Sequence, residues 1–225
     1  MGKNILLKNG IVVEPVLRQK KQQDIYIQNG KIVSRKNFNG DAAVVDLKGC
    51  LVFPGLIDFH SHVFYGGTEI GIDPDLSFIP QGVTTTVDAG SAGIANVESF
   101  LRGIVSHSRM RIKAFINVCP SGLTTMKYHE NVDPKYWDKV MLKNMLEEYK
   151  ETLLGLKVRI SKEIVGSLGI EVLQAAVALA ESLKTRLVVH VTNPPENMEK
   201  IAELLRPGDV LAHCYHGTGQ TILDG

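Results

Sequence analysis

The sequence predicts an α/β protein, an incomplete (β/α)8 barrel of about six βα units behind a small N-terminal β module. Three observations carry that expectation. Short apolar runs separated by turn residues fill residues 1–53. From residue 54 to 225 the pattern changes to apolar strand, loop and amphipathic helix, repeated, which is how a parallel sheet with crossover helices reads. Three of the apolar runs then close on a histidine, where an apolar stretch meets its loop and where barrel active sites gather.

The β module is expected from ILLKNGIVV, then DIYIQNGKIVSR with an Asn29-Gly30 turn, then AVVDLKGCLVF. Beyond Pro54 the barrel strands are placed at Gly55 to Phe59, Val83 to Val87, Ile112 to Val118, Gly155 to Ile160, Arg186 to Val191 and Asp209 to Ala212. Helices are expected around Asp75 to Pro80, Ile94 to His107, Lys135 to Leu154, Gly169 to Leu183 and Glu196 to Leu205. In the fourth of these, Val172, Leu173, Ala176, Val177, Ala180 and Leu183 recur at helical spacing and form a stripe suited to packing on a sheet. A complete barrel of this kind takes about 250 residues, whereas about 170 follow the β module, so the expected barrel stops two βα units short. The final GTGQTILDG offers no seventh strand.

Composition narrows the function classes. With 44% hydrophobic and 22% charged residues, the 225-residue chain can bury a sizeable core. Lysine and arginine number 25 against 24 acids, a net charge of +1 with no basic run, which argues against a nucleic-acid partner. No apolar stretch reaches signal-peptide or membrane-spanning length, so no membrane association is expected and the expected compartment is the cytoplasm. Cys50, Cys119 and Cys214 are widely spaced without CxxC pairing, which fits reduced thiols filling small spaces.

The first barrel strand reads GLIDFHSHV. Residues two apart on a strand point the same way, so Asp58, His60 and His62 share one face, opposite Ile57 and Phe59. An HxH pair at a strand end is a metal chelate by geometry, although two hydrogen-bonded histidines in a polar loop would look the same. His190 ends RLVVHV and His213 ends the apolar part of DVLAHCYHG, and three strands closing this way favour a shared metal site. In GLKVRIS, Lys157 and Arg159 alternate with Leu156, Val158 and Ile160. Two cations inside a barrel need anionic partners or a function, and snorkelling to solvent is the alternative. His216 stays open between touching substrate and a supporting or exposed place, Asp58 and Asp88 between orienting the site and serving turns or caps, while His107 and His129 read as exposed.

PGLIDFHSH, TTTVDAGS, GLKVRIS, VVHVTNPP and LAHCYHG, in that order, resemble the amidohydrolase superfamily, whose members are TIM-type barrels. The resemblance is nearest to its deacetylases of acetyl esters and amides, which are similar to dihydroorotases. It implies a two-metal site, usually zinc, in which His60 and His62 hold one ion and His190 and His213 the other. Lys157, carboxylated by carbon dioxide, would bridge them, because an ammonium cannot bind a metal and a carbamate offers one oxygen to each. A hydroxide between the ions would be the nucleophile, and Arg159 would polarise the carbonyl of a small-molecule substrate. The family also uses an aspartate at the end of strand eight as ligand and proton shuttle, and no residue here fills that place. Asp224 lies only 11 residues after His213. The expectation is thus hydrolysis of an acetyl ester or amide, with cyclic-amide hydrolysis of the dihydroorotase or hydantoinase kind and an inactive fragment as alternatives. Unfinished strand edges favour pairing with another copy.

Overall fold

A computed structural model of the chain describes residues 4–224, which divide into two compact units meeting at Leu56 and Ile57. In the first unit, β1 (Asn4–Lys8), β2 (Ile11–Glu14), β3 (Gln19–Gln22), β4 (Ile25–Gln28), β5 (Lys31–Val33), β6 (Ala42–Asp46) and β7 (Leu51–Val52) form two small sheets. Their orders are β5-β4-β1-β6 and β3-β2-β7. The Asn-Gly turn does what its residues favour: Asn29 and Gly30 take φ of 52° and 73°, and β4 and β5 pair antiparallel across them. The sequence pattern did not mark β3, because its QKKQ is exposed throughout and has no apolar alternation.

The second unit is built on β8 (Leu56–Ser61), β9 (Val83–Gly93), β10 (Arg111–Asn117), β11 (Leu153–Arg159), β12 (Arg186–His190) and β13 (Val210–Ala212). They form one six-stranded sheet in sequential order, and every pair from β9 to β13 is parallel. Among the described residues no strand follows β13. Around the sheet lie α1 (Pro74–Phe78), α2 (Val97–Phe100), α3 (Lys139–Glu148), α4 (Lys162–Val165), α5 (Glu171–Ser182) and α6 (Met198–Leu204). No single one of these is long and apolar enough to cross a membrane.

Helix limits follow local chemistry more tightly than the apolar pattern does. The Asp138 carboxylate accepts from the Met141 N–H at 2.9 Å and starts α3, and Asn197 starts α6 in the same way through Lys200. The expected helix from Lys135 to Leu154 is therefore shorter, with a turn at Tyr149 to Thr152 feeding β11. The expected helix from Ile94 to His107 is α2 continued by a π-helical turn over Leu101–Val105.

Two apolar clusters mark the two faces of the sheet. Ile112, Ala114, Ile116, Leu156, Val158, Leu187 and Val189 pack outward against Val172, Leu173, Ala176 and Ala180 of α5 and the other helices. Each buried Val, Leu or Ile among these contributes about 1.5–3 kcal/mol. The inner face carries a smaller cluster of Val87, Phe115, Val188 and Ala212. Above it, in the same alternation on β11, come Lys157 and Arg159.

Candidate active site

The curl of the sheet brings the sequence-distant histidines together. His60 lies on β8 and His213 directly follows β13, the two edges of the sheet, yet their ring centroids are 4.7 Å apart. Five inter-strand steps in a flat sheet would separate them by roughly 24 Å. The chain continues from ring to ring, with His60 and His62 at 5.7 Å and His190 and His213 at 4.6 Å. His213 takes a left-handed backbone (φ 62°) where β13 gives way to its loop.

Lys157 sits among these histidines with 1% of its surface exposed. Parallel register places it opposite Asn117 of β10 and Val188 of β12. A register irregularity between Ala114 and Phe115 on β10 leaves Leu154 of β11 without a partner there, and this resets the alternation so that Lys157 and Arg159 face inward. Gly90 makes the room. It holds φ 83°, and a Cβ there would stand 2.4 Å from both Cβ and Cγ of Lys157. Among the described residues no carboxylate forms a salt bridge with the Lys157 ammonium. Burial and then the neighbouring Arg159 charge pull its pKa down to about 7, against weaker support from Asp88 and Glu130. Its amine is therefore substantially neutral near physiological pH.

The same burial, with Lys157 as the next cause, lowers His60 to about 4, His62 to about 3 and His190 to about 2. His213 is lowered as well. All four imidazoles are thus neutral lone-pair donors at pH 7. The His60 Nε2 is shielded from solvent without a partner among the described residues, an arrangement that a bound cation would satisfy. No three His, Cys, Asp or Glu side chains among the described residues stand in coordination geometry by themselves. The four rings stand 4.6–5.7 Å apart in succession, with the buried Lys157 amine among them.

Arg159 is the second inward cation, and its partner is Glu130. The Arg159 Nη1 donates to Glu130 Oε2 at 3.0 Å, with side chains 10% and 3% exposed. The other Glu130 oxygen is buried and has no partner among the described residues. Sequence reasoning missed Glu130 because it lies in the long connection between β10 and α3, where no periodicity marks it. It missed Gly90 as a cradle too, because the side chain that Gly90 accommodates lies 67 positions away in the sequence.

Asp88 supports the site. Fully buried midway along β9, it accepts from Val63 N–H at 2.8 Å, Ser91 N–H at 2.7 Å and Ser91 Oγ at 2.7 Å. Desolvation raises its pKa while these bonds oppose the rise. Asp58 accepts from the His60 N–H at 2.9 Å. Both ring nitrogens of His216 are shielded without partners among the described residues, and its proximity helps lower His213. Asp224 is exposed and takes the Thr221 N–H at 2.6 Å, closing a turn. His107 and His129 are exposed.

No family model matches the chain. Individual relatives do. It is 40% identical over 186 residues to the deacetylase Atu3266 of Agrobacterium fabrum, covering 82% of this chain and 46% of that protein. A deacetylase of Brucella anthropi is 40% identical over 197 residues, covering 84% of this chain and 48% of the relative. The chain thus spans about half the length of these curated relatives. Among solved structures, one described as a dihydroorotase superposes with a TM-score of 0.91 at 36% identity, covering all of this chain and 60% of that one. One described as an adenine deaminase superposes with a TM-score of 0.82 at 27% identity, covering 96% and 58%. With its sheet, its histidine-and-lysine arrangement and these relatives in agreement, the chain belongs to the amidohydrolase superfamily.

Proposed function

We propose that this protein is a metal-dependent hydrolase that cleaves an acetyl ester or amide of a small molecule. The observation carrying the proposal is the convergence of four imidazoles around a buried lysine that no carboxylate among the described residues pairs in a salt bridge. The donor chemistry fits two divalent ions: His60 and His62 would hold one and His190 and His213 the other, and Lys157 would contribute to both as a carbamate. The neutral Lys157 amine attacks carbon dioxide, forming an N–C bond and releasing one proton, and the product is an anion with two oxygen donors. Imidazole and carbamate donors suit zinc best. Bound there, such ions would supply Lewis acidity and make hydroxide available at neutral pH.

The protein's own residues do the positioning. Glu130 holds one end of the Arg159 guanidinium, which leaves its remaining N–H groups to polarise a substrate carbonyl and steady the developing oxyanion. Gly90 leaves space for the Lys157 stem, and Asp58 ties down the backbone at His60. The deacetylase relatives support an acetyl substrate, while the solved structure described as a dihydroorotase supports cyclic-amide hydrolysis as a second reading.

The test supplies the protein with zinc and bicarbonate and follows acetate release from acetylated hydroxy acids and acetylated amino acids. Ring opening of dihydroorotate and hydantoin is assayed in parallel. Acetate release that Lys157→Ala abolishes is the expected result. Ring opening alone would transfer the function to the cyclic amidases. Folded, zinc-loaded protein inert toward both sets would refute the proposal and favour a catalytically silent chain.

A further inference from the structure

The Nδ1 of His62 lies 2.8 Å from Ser91 Oγ, and the same oxygen lies 2.7 Å from Asp88 Oδ2. Both Asp88 and Ser91 are completely buried. The Asp88 carboxylate also takes two backbone N–H groups, one on each oxygen, from Val63 and Ser91. A carboxylate bound by two fixed donors accepts from the hydroxyl as well, so the Ser91 proton points at Asp88. Ser91 Oγ is then left as the acceptor facing His62, and Nδ1 must carry the hydrogen. We infer that Asp88 and Ser91 form a positioning relay that locks His62 in its Nδ1–H tautomer and leaves Nε2 as the bare, metal-facing nitrogen. Asp88 holds the same histidine a second way, because the Val63 N–H that it accepts belongs to the next peptide in the chain. Ring and backbone are thereby anchored to one buried carboxylate. An imidazole without such a bond carries its hydrogen mainly on Nε2, the nitrogen needed here as a ligand, so the relay presets a form that the free ring disfavours.

The inference rests on the proposed metal site, and its test separates the two. In the metal-free, full-length protein labelled with 15N-histidine, NMR reads which His62 nitrogen bears the hydrogen, independently of zinc. Hydrogen on Nδ1 in the wild type, moving to Nε2 in Ser91→Ala and Asp88→Asn, is the expected result. Hydrogen on Nε2 in the wild type overturns the relay, and this reading requires no variant to fold. Zinc titration against a chromophoric chelator gives the consequence: affinity should fall about 10–100-fold in Ser91→Ala. Affinity within about twofold of wild type, with Nδ1–H retained in the variant, also overturns it. A wild type that binds no zinc yet shows the Nδ1–H form leaves the tautomer lock standing and refutes the metal site.

Discussion

Gly90→Ala tests the geometry around Lys157 most directly. The added methyl would meet Lys157 Cβ and Cγ at 2.4 Å, at the stiff base of that side chain. Ordinary carbon–carbon contacts are about 3.5–4.0 Å, so the lysine stem must retreat by roughly 1 Å. Such overpacking of a filled interior costs about 1–3 kcal/mol. The left-handed φ of 83° adds about 1–2 kcal/mol for any L side chain, giving about 2–5 kcal/mol in all. Gly82→Ala separates the two effects, since φ there is 80° and nothing lies within 4 Å of the added methyl. Urea unfolding of the two variants should therefore differ by the contact contribution alone, about 1–3 kcal/mol. In a Lys157→Gly background, which lacks both clashing atoms, Gly90→Ala should fall back to the cost of Gly82→Ala. Bound zinc should drop in Gly90→Ala and stay at the wild-type level in Gly82→Ala. Equal stability losses and equal zinc in the two single variants would refute the idea that Gly90 exists to seat Lys157.

Acid should destabilise the metal-free protein before its carboxylates titrate. His60, His62 and His190 have folded-state pKa values below the unfolded 6.5, so the unfolded chain binds more protons as pH drops below 6.5 and stability falls, continuing toward pH 4 to 2. For the well-buried His62 and His190 the slope approaches about 1.4 kcal/mol per pH unit each, and solvent screening makes it smaller at His60 and His213. Urea midpoints that stay flat from pH 7 to 5 would contradict this, and added zinc should move the loss to lower pH. Glu130→Ala should cost about 3–5 kcal/mol by leaving the Arg159 charge buried and unpaired. Chemical denaturation checks it, and a loss under about 1 kcal/mol would show that Arg159 finds another partner or solvent.

What the sequence made legible was whatever repeats along the chain. The six barrel strands stand out because their apolar runs are short and bounded, and the HxH parity was readable because side chains alternate on a strand. In the structure Asp58 and His60 are half-buried, while Ile57 and Phe59 between them are exposed. Contacts between distant segments leave no such trace. Lys157 and Arg159 looked like two cations without a counter-charge, and the partner that Arg159 finds, Glu130, is a lone acid in an irregular connection. Likewise the role of Gly90 comes from a side chain 67 positions away, at Lys157, so no local window could have revealed it.

The site also shows why side chains so far apart in sequence can still be set accurately. Each side chain is placed by the register of its own strand, and registers are passed from neighbour to neighbour by parallel pairing: Asn117 opposite Lys157, Lys157 opposite Val188, Arg159 opposite His190, and His190 opposite Ala212 just before His213. A one-residue slip anywhere in that series would turn Lys157 or His190 onto the outer, apolar face, where a polar group has no partner. At the β11–β12 step Gly155 lets the backbones approach, since a Cβ there would lie 2.2 Å from the Arg186 carbonyl oxygen. The outer apolar cluster and the inner polar site therefore enforce the same alignment. Burial of Leu156, Val158, Leu187 and Val189 against the helices fixes the phase of β11 and β12, and that phase delivers Lys157, Arg159 and His190 to one place.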